Sequence, residues 1–286
     1  WGGDCNTNAS VTVALGQTKT CTITNNDIAP KLHLRKVIVN DNGGTATVAD
    51  FTLTADGTGA NDLSGSSPVD SDTGLLADTF ALSETGPVGY TASTWVCVGG
   101  KQTDSNVKID VGGEATCTIT NNDISPQLII IKHVVNGNGG TLGAGDFTMN
   151  VTATNPSDDS FPGAESPGTT ITLDAGSYSV AEPAVYGYAT SYSSDCTGTA
   201  VIGTTKICTV TNNDIQPKLT LTKIVVNDDG GNAVVSNFPL FVDATSVVSG
   251  VQNDFNAGSY TASETNLTGY TAGSWTGDCV ANGTVT

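Results

Sequence analysis

The sequence predicts an all-β chain of tandem, Ig-like β-sandwiches in a string, on three observations. Val, Ile, Thr and Tyr alternate with polar residues over short runs, the pattern of half-buried strands. Asn-Gly, Asp-Gly and Gly-Gly pairs break those runs, and no stretch sustains a helical apolar period. The pattern also recurs. Lys36 to Lys132 is 96 residues and Lys132 to Lys223 is 91, and Asn25, Asn121 and Asn212 repeat the same two spacings. A period of that length is a whole domain able to bury its own core, so the repeats are beads and not solenoid turns.

Each repeat opens on an apolar strand that ends in lysine: KLHLRK (31–36), QLIIIK (127–132) and KLTLTK (218–223). NDNGGT, NGNGGT and NDDGGN follow and are expected to close that strand as hairpin turns with φ > 0. A later strand carries glutamate, in FALSETGPVGY (80–90), YSVAEPAVYGY (178–188) and YTASETNLTGY (260–270). Asn25, Asn121 and Asn212 follow CTIT, CTIT and CTVT near the end of a repeat. The boundaries are NNDIAPKL, NNDISPQL and NNDIQPKL, where proline ends one strand and sets φ for the next. About seven strands per sandwich are expected. In this frame residues 1–29 are the closing strands of an incomplete repeat, and 30–125 and 126–216 are complete repeats. Residues 217–286 lack their last strand, and WGGDCNTNASVT (1–12) matches WTGDCVANGTVT (275–286). The frame implies a window on a longer array. The alternative is a filament in which residues 13–29 of one subunit complete the unfinished domain of the next.

The net charge of −18 argues against nucleic acid or an anionic membrane as partner and fits a solvated, self-repelling surface. LIIIKHVV is far shorter than the roughly 18 apolar residues of a membrane span. Seven cysteines fall as Cys5/Cys21, Cys97/Cys117 and Cys196/Cys208 with Cys279 alone, the arithmetic of one strand-to-strand disulfide per domain and of an extracellular, oxidising setting. No cofactor or metal is expected. NDNGG and NDDGG look faintly like calcium loops, but calcium needs about six oxygen ligands and no such set is evident. No CxxC occurs, and His33 and His133 take the outward phase of their strands as plain exposed residues. Asn8, Asn266 and Asn282 begin glycosylation sequons. No nucleophile elbow, zinc set or phosphate loop appears, so an enzyme is not expected. An adhesin binding a surface ligand would place it on the longest, most variable loops, 55–75 and 152–170.

Strand phase identifies the candidate site. Residues i, i+2 and i+4 share a face. Lys36, Lys132 and Lys223 share theirs with the leucines and isoleucines before them. Glu84, Glu182 and Glu264 are in phase with Phe80 and Leu82, Tyr178 and Val180, and Tyr260 and Ala262. Asn25, Asn121 and Asn212 are in phase with the cysteine and β-branched residue that precede them, and a bulge would hand their place to Asn26, Asn122 and Asn213. All three types therefore point inward. Burial lowers a lysine pKa and raises a glutamate pKa, so a neutral amine beside a protonated carboxyl becomes an accessible state. A neutral lysine is a nucleophile, the asparagine amide an electrophile, and the glutamic acid a proton shuttle. Held together in a core they can form an isopeptide bond without an enzyme. The same residues could instead make a buried Lys–Glu ion pair with an asparagine hydrogen bond and no covalent bond.

Lysine on the first strand, glutamate in E-x-x-x-x-G-Y and asparagine late in the last strand resemble the Cna B-type (SpaA-like, prealbumin-like fold) domains of bacterial surface adhesins and pilins. ETGPVGY (84–90) is the closest match, while EPAVYGY (182–188) and ETNLTGY (264–270) keep the Glu, Gly and Tyr. The resemblance covers essentially the whole chain. It implies that Lys36, Glu84 and Asn121 act together, as do Lys132, Glu182 and Asn212. The partners of Lys223 with Glu264, and of Asn25, lie outside their own domains. It also implies a structural fibre or stalk of repeats joined end to end on a microbial surface, with autocatalytic cross-linking as its only chemistry. The added disulfides are not a usual mark of that family, and neither a sortase sorting motif nor a pilin-linking lysine motif is present.

Overall fold

A computed structural model describes residues 1–285, divided into two compact units, Trp1–Ser125 with Val201–Gly203 and Pro126–Ala200 with the residues from Thr204 onward. Apart from four three-residue 3-10 turns, every regular element is a strand.

The first unit opens with two minimal strands, β1 (Gly2–Gly3) and β2 (Cys21–Thr22). The first complete repeat follows, with β3 (Lys31–Val39), β4 (Thr52–Asp56), β5 (Leu63–Gly65), β6 (Val69–Asp70) and β7 (Asp78–Thr85). It continues with β8 (Tyr90–Ala92), β9 (Val96–Gly99), β10 (Lys101–Thr103), β11 (Asn106–Ile109) and β12 (Glu114–Asp123). One sheet has the order β10-β11-β7-β4-β5 and the facing sheet β6-β3-β12-β8, with β9 also on β12. The closing strand β12 lies parallel to the opening strand β3, with Lys36 opposite Ile119 and Ile38 opposite Asn121. Leu32, Leu34, Leu53, Phe80, Val107, Cys117 and Ile119 fill the space between the sheets.

The second unit contains β13 (Gln127–Val135), β14 (Thr148–Thr152), β15 (Ser160–Pro162), β16 (Thr169–Thr172), β17 (Gly176–Ala181), β18 (Tyr188–Tyr192), β19 (Thr197–Ala200) and β20 (Thr205–Asp214). Their sheets are β16-β13-β20-β18 and β15-β14-β17-β19. Here too β20 runs parallel to β13, with Lys132 opposite Val210 and Val134 opposite Asn212. The third repeat has β21 (Lys218–Thr220), β22 (Leu240–Val242), β23 (Thr245–Val247), β24 (Gln252–Asp254), β25 (Tyr260–Glu264) and β26 (Thr284–Val285), in the sheets β21-β24 and β23-β22-β25-β26. Its buried apolar cluster has 5 residues against 14 in each complete repeat, because no closing strand supplies counterparts of Cys117 and Ile119.

Four sequence expectations need correction. The complete repeats have ten and eight strands and not about seven, because residues 55–75 and 152–170 contain short strands that pair at the sheet edges. The NDNGG-type turns are not hairpins. They carry the chain from one sheet to the other, since β3 pairs with β12 and β6 while β4 pairs with β5 and β7. Positive φ is as expected at Gly43, Gly139 and Gly230, but a local φ signal does not say which sheet the next strand joins. The disulfides Cys5–Cys21, Cys97–Cys117 and Cys196–Cys208 form, yet only Cys97–Cys117 spans two strands of a paired ladder; Cys196 sits in the 3-10 turn Ser194–Cys196. His33 is not a plain exposed residue, for its ring nitrogens lie 2.6 Å from Asp70 and 3.2 Å from Glu114. His133 is exposed and pairs with Glu165 at 3.1 Å.

The Cys196–Cys208 bridge closes a separation of 12 residues, for which chain entropy gives about 3 kcal/mol. Reduction is therefore expected to lower the melting temperature of the second repeat by roughly 10 °C or more, read by calorimetry with and without a phosphine reductant.

Candidate functional site

The site lies between the sheets of each repeat and is assembled from four elements. The opening strand supplies lysine. Lys36 is 7% exposed and Lys132 0%, each flanked at i−2 and i−4 by buried apolar residues of the same face. A 3-10 turn supplies the floor. Asp50, Asp146 and Asn237 accept hydrogen bonds from the backbone N–H of Thr47, Gly143 and Val234, and each so fixes the turn that drives the next residue inward. That residue is Phe51, Phe147 or Phe238, and the lysine ammonium stands 4.4, 4.3 and 4.5 Å from the respective ring centroid. The negative face of the ring favours a nearby cation.

The facing sheet supplies glutamate. Lys36 Nζ is 2.8 Å from Glu84 Oε2, Lys132 Nζ 2.9 Å from Glu182 Oε2 and Lys223 Nζ 2.7 Å from Glu264 Oε2. The closing strand supplies asparagine. Lys36 Nζ donates to Asn121 Oδ1. In the second repeat Asn212 Nδ2 donates to Glu182 Oε1 at 2.6 Å, and Thr190 Oγ1 donates to the same oxygen at 3.1 Å. Asn121 and Asn212 are buried, while Asn122 and Asn213 face outward. The side chains of Lys132 and Glu182 are wholly out of solvent. Although 2.9 Å apart, Lys132 Nζ and Glu182 Oε2 do not meet at a hydrogen-bonding angle, and Asn212 Oδ1 has no donor either, so three polar atoms of one dry site lack a hydrogen bond. Native proteins carry only a few such groups per roughly 100 residues, so three in one cluster stand out.

Burial holds the Lys36 amine below the ordinary lysine range, with the hydrogen bond and charge of Glu84 opposing part of the shift. Burial does the same to Lys132 against the nearby carboxylate of Glu182 and the charge of Glu165. Both amines thus reach the neutral, nucleophilic form at lower pH than a solvated lysine would.

A second cluster lies beside each lysine and was missed in the sequence reading. Asp123, at the end of β12, accepts the backbone N–H groups of Asp41, Asn42 and Gly44 at 2.7–3.1 Å. Asp214 does the same for Gly137, Asn138 and Gly140 at 2.7–3.0 Å. The NDNGG-type loop is therefore a nest of N–H donors around a carboxylate and not a calcium loop. A Cβ at Gly44 would come within 2.4 Å of the Tyr90 hydroxyl and 2.7 Å of Asp123, so glycine is needed there for the close approach. Tyr90, the tyrosine of ETGPVGY, donates to Asn40 Oδ1 at 2.7 Å, accepts from Ala46 N–H at 2.9 Å and packs edge-on against Phe51. Tyr188 and Tyr270 repeat these contacts with Asn136 and Leu142, and with Asn227 and Ala233. The signal was visible as the Asp of each NND, the Phe of each (D/N)F and the Tyr of each GY recurring in step with the lysine.

Burial pushes the Asp123 carboxyl upward, but the N–H of Gly44 and the side chain and N–H of Asn42 outweigh it and hold the group below the usual carboxylate range. Asp214 is held low in the same way. Asp78 is lowered to about 2, chiefly by the N–H of Thr58 and then by Asn61 and the N–H of Thr79. In all three the folded pKa lies below the unfolded value. Their contribution to stability is present above about pH 4 and is lost as pH falls through the folded pKa values. Melting temperature is expected to be flat from pH 7 to 5 and to fall below pH 4. Asp78→Asn should remove part of that slope while leaving the plateau shape unchanged. Asp123→Ala strands three N–H groups and is expected to cost the first repeat about 2 kcal/mol in denaturant titration.

The third repeat has lysine, phenylalanine, glutamate and tyrosine in place but no asparagine or aspartate. Lys223 is accordingly less buried, and the cleft beside it is open. Asn25 does not point into a core. It is exposed, as are Ile23 and Ile28, because residues 23–28 form no strand.

The prealbumin-like fold domain of the SpaA type matches this sequence three times, over residues 27–119, 123–216 and 214–286. The chain belongs to that family. Solved structures match the chain at low identity. The Bacillus anthracis TIE protein matches with a TM-score of 0.51 and 18% identity, over 86% of this chain and 47% of that one. The present chain thus spans about half the length of that protein. The major pilin T-13 of Streptococcus pyogenes matches at 14% identity and a TM-score of 0.29, over 66% of this chain and 98% of that chain. The C-terminal fragment of the pilus adhesin SpaC from Lactobacillus rhamnosus GG matches at 13% and 0.31, over the same shares. No curated protein matches the sequence.

Proposed function

We propose that these prealbumin-like repeats form a stretch of a load-bearing extracellular fibre on a microbial surface, each complete repeat locked by an isopeptide bond between its opening and closing strands. The bonds join Lys36 to Asn121 and Lys132 to Asn212. The observation that carries this is the dry cluster of Lys132, Glu182 and Asn212, in which an amine, a carboxyl and a carboxamide meet with three polar atoms unsatisfied. Condensation relieves that. The neutral amine attacks Asn212 Cγ while Glu182, protonated, hydrogen-bonds the amide and passes its proton to the departing nitrogen. The Nζ–Cγ bond forms and the Cγ–Nδ2 bond breaks; ammonia leaves with the proton from Glu182, and the proton shed by Lys132 Nζ returns to Glu182. The product is a neutral amide where an ion pair stood. Glu84 has the same role for Lys36 and Asn121.

The disulfides support an oxidising, extracellular location. The parallel pairing of opening and closing strands supports load bearing, because tension along the fibre shears β13 against β20 and loads their hydrogen bonds together. Intact mass of the purified chain tests the reading. A deficit of two ammonias relative to the sequence is expected, and peptide mapping should find the branches Lys36–Asn121 and Lys132–Asn212. A mass equal to the unreacted chain overturns it.

A further inference from the structure

The glutamates of the two complete repeats are held in different ways. Glu84 lies inside β7, in ladder register with Leu53 of β4. Glu182 stands one residue beyond β17, whose ladder with β14 ends with Ala181 opposite Asn150. Its backbone N–H donates to a side chain instead, the Tyr192 hydroxyl at 3.0 Å. A side chain on a strand end is free to swing unless something fixes it. Yet the Glu182 side chain is wholly buried, whereas that of Glu84 is 11% exposed.

Strand β18 supplies what fixes it. Tyr188, Thr190 and Tyr192 share one face of that strand, and each touches the site. Tyr188 packs edge-on against Phe147, the ring beneath Lys132. Thr190 lies opposite Asn212 in the ladder, and its Oγ1 donates to Glu182 Oε1 at 3.1 Å. Tyr192 holds the Glu182 backbone. In the first repeat β8 is only three residues long, Ala92 stands opposite Asn121, and Thr94 takes the place of Tyr192. Alanine has no hydroxyl to offer Glu84, so of the three contacts only the tyrosine against the phenylalanine ring is shared.

We propose that Thr190 is the positioning residue of the second repeat, holding the Glu182 carboxyl so that its two oxygens serve the two nitrogens of the condensation. The inference rests on the isopeptide chemistry proposed above. Glu182 Oε1 lies 2.6 Å from Asn212 Nδ2, the nitrogen that leaves, and Oε2 lies 2.9 Å from Lys132 Nζ, the nitrogen that attacks. Oε1 hands its proton to Nδ2 as the Cγ–Nδ2 bond breaks, and Oε2 takes the proton shed by Nζ as the Nζ–Cγ bond forms. The carboxyl ends with the one proton it began with. Rotation of the carboxyl out of this plane would separate both pairs at once. A hydroxyl donates to a carboxylate and accepts from a carboxylic acid, so Thr190 stays bonded to Oε1 in both states of the shuttle. Thr190 touches neither reacting nitrogen in this role and acts through Glu182.

The test follows the 286-residue chain as it is made in a cell-free system, quenched in acid urea at intervals and mapped by mass for both branched peptides. Limited proteolysis before the quench restricts the count to chains whose second repeat is folded, and the first repeat keeps time within the same molecule. Thr190→Val keeps the shape and removes the hydroxyl. It is expected to slow the Lys132–Asn212 branch by about tenfold to hundredfold and to leave the Lys36–Asn121 branch at its parental rate. Thr190→Ser should restore most of the lost rate. Thr190→Val at the parental rate, or Thr190→Ser as slow as Thr190→Val, overturns the positioning role and leaves the bonds standing. Loss of a folded second repeat in both Thr190→Val and Thr190→Ala makes the hydroxyl a structural contact and overturns that role as well. A parent chain that never yields the Lys132–Asn212 branch overturns the bond itself.

Discussion

Glu182→Gln is expected to leave the second repeat folded, heavier by one ammonia, and less stable by about 4.5 kcal/mol. The figure is the chain entropy of a loop closed over 80 residues, Lys132 to Asn212. For a domain of this size it corresponds to a drop of roughly 20 °C or more in melting temperature. Glutamine keeps the shape of the site but cannot carry the proton to the leaving nitrogen. Lys132→Met separates the cross-link from the charge. Removing a buried ammonium that serves only an ion pair, and replacing it by an apolar chain of similar length, is commonly neutral or stabilising. If the bond is what matters, Lys132→Met must lose nearly as much stability as Glu182→Gln. A Lys132→Met chain as stable as its parent would falsify the covalent reading for this repeat. The measurement is calorimetry paired with intact mass on each variant.

Under force the same bond has a larger effect. Load along the chain would enter the second repeat at Gln127 and leave at Asp214, and the proposed Lys132–Asn212 bond lies close to both points. Only the few residues outside the bond can extend. In single-molecule pulling the parent chain is expected to show no unfolding step for either complete repeat. Glu182→Gln should add one step of about 280 Å, the extended length of the residues released. Glu84→Gln should add a comparable step for the first repeat, where Lys36 to Asn121 closes 85 residues. The third repeat, in which no asparagine faces Lys223 among the described residues, should unfold in every trace. Full-length steps from the parent chain would leave the repeats as extensible beads without a lock.

The inner face of each strand was legible because a strand has a period of two. That rule alone separates Lys36 from Arg35, and Asn121 from Asn122, and no bulge intervenes in β3 or β12 to reverse it. Glu84 was legible for the same reason, although it lies in the opposite sheet. The NDNGG turn was legible as a turn with a positive-φ glycine but not as a crossover, because the dihedrals of four residues do not specify the sheet that the next strand joins. Asp123 and Phe51 were not recognised, and Tyr90 was seen as part of E-x-x-x-x-G-Y but not for what it binds. Asp123 binds a loop up to 82 residues away, Tyr90 binds Asn40 across 50 residues and Phe51 lies under Lys36 from the turn beyond the crossover, and nothing in their local sequence states that. Cys196 was read as one end of a strand-to-strand disulfide because the cysteine pairs recur from repeat to repeat, and it instead sits in a 3-10 turn.

By itself the sequence determined an all-β tandem repeat, the inward phase of Lys, Glu and Asn, and the cysteine pairing, since alternation and recurrence are properties of the chain read along its length. The tertiary structure decided what those residues meet. It set the opening and closing strands parallel and adjacent, brought glutamate across from the other sheet, and laid Lys36, Lys132 and Lys223 over phenylalanine rings. The physical reason is that distance along a strand follows from the sequence, whereas distance between strands follows only from how the two sheets pack.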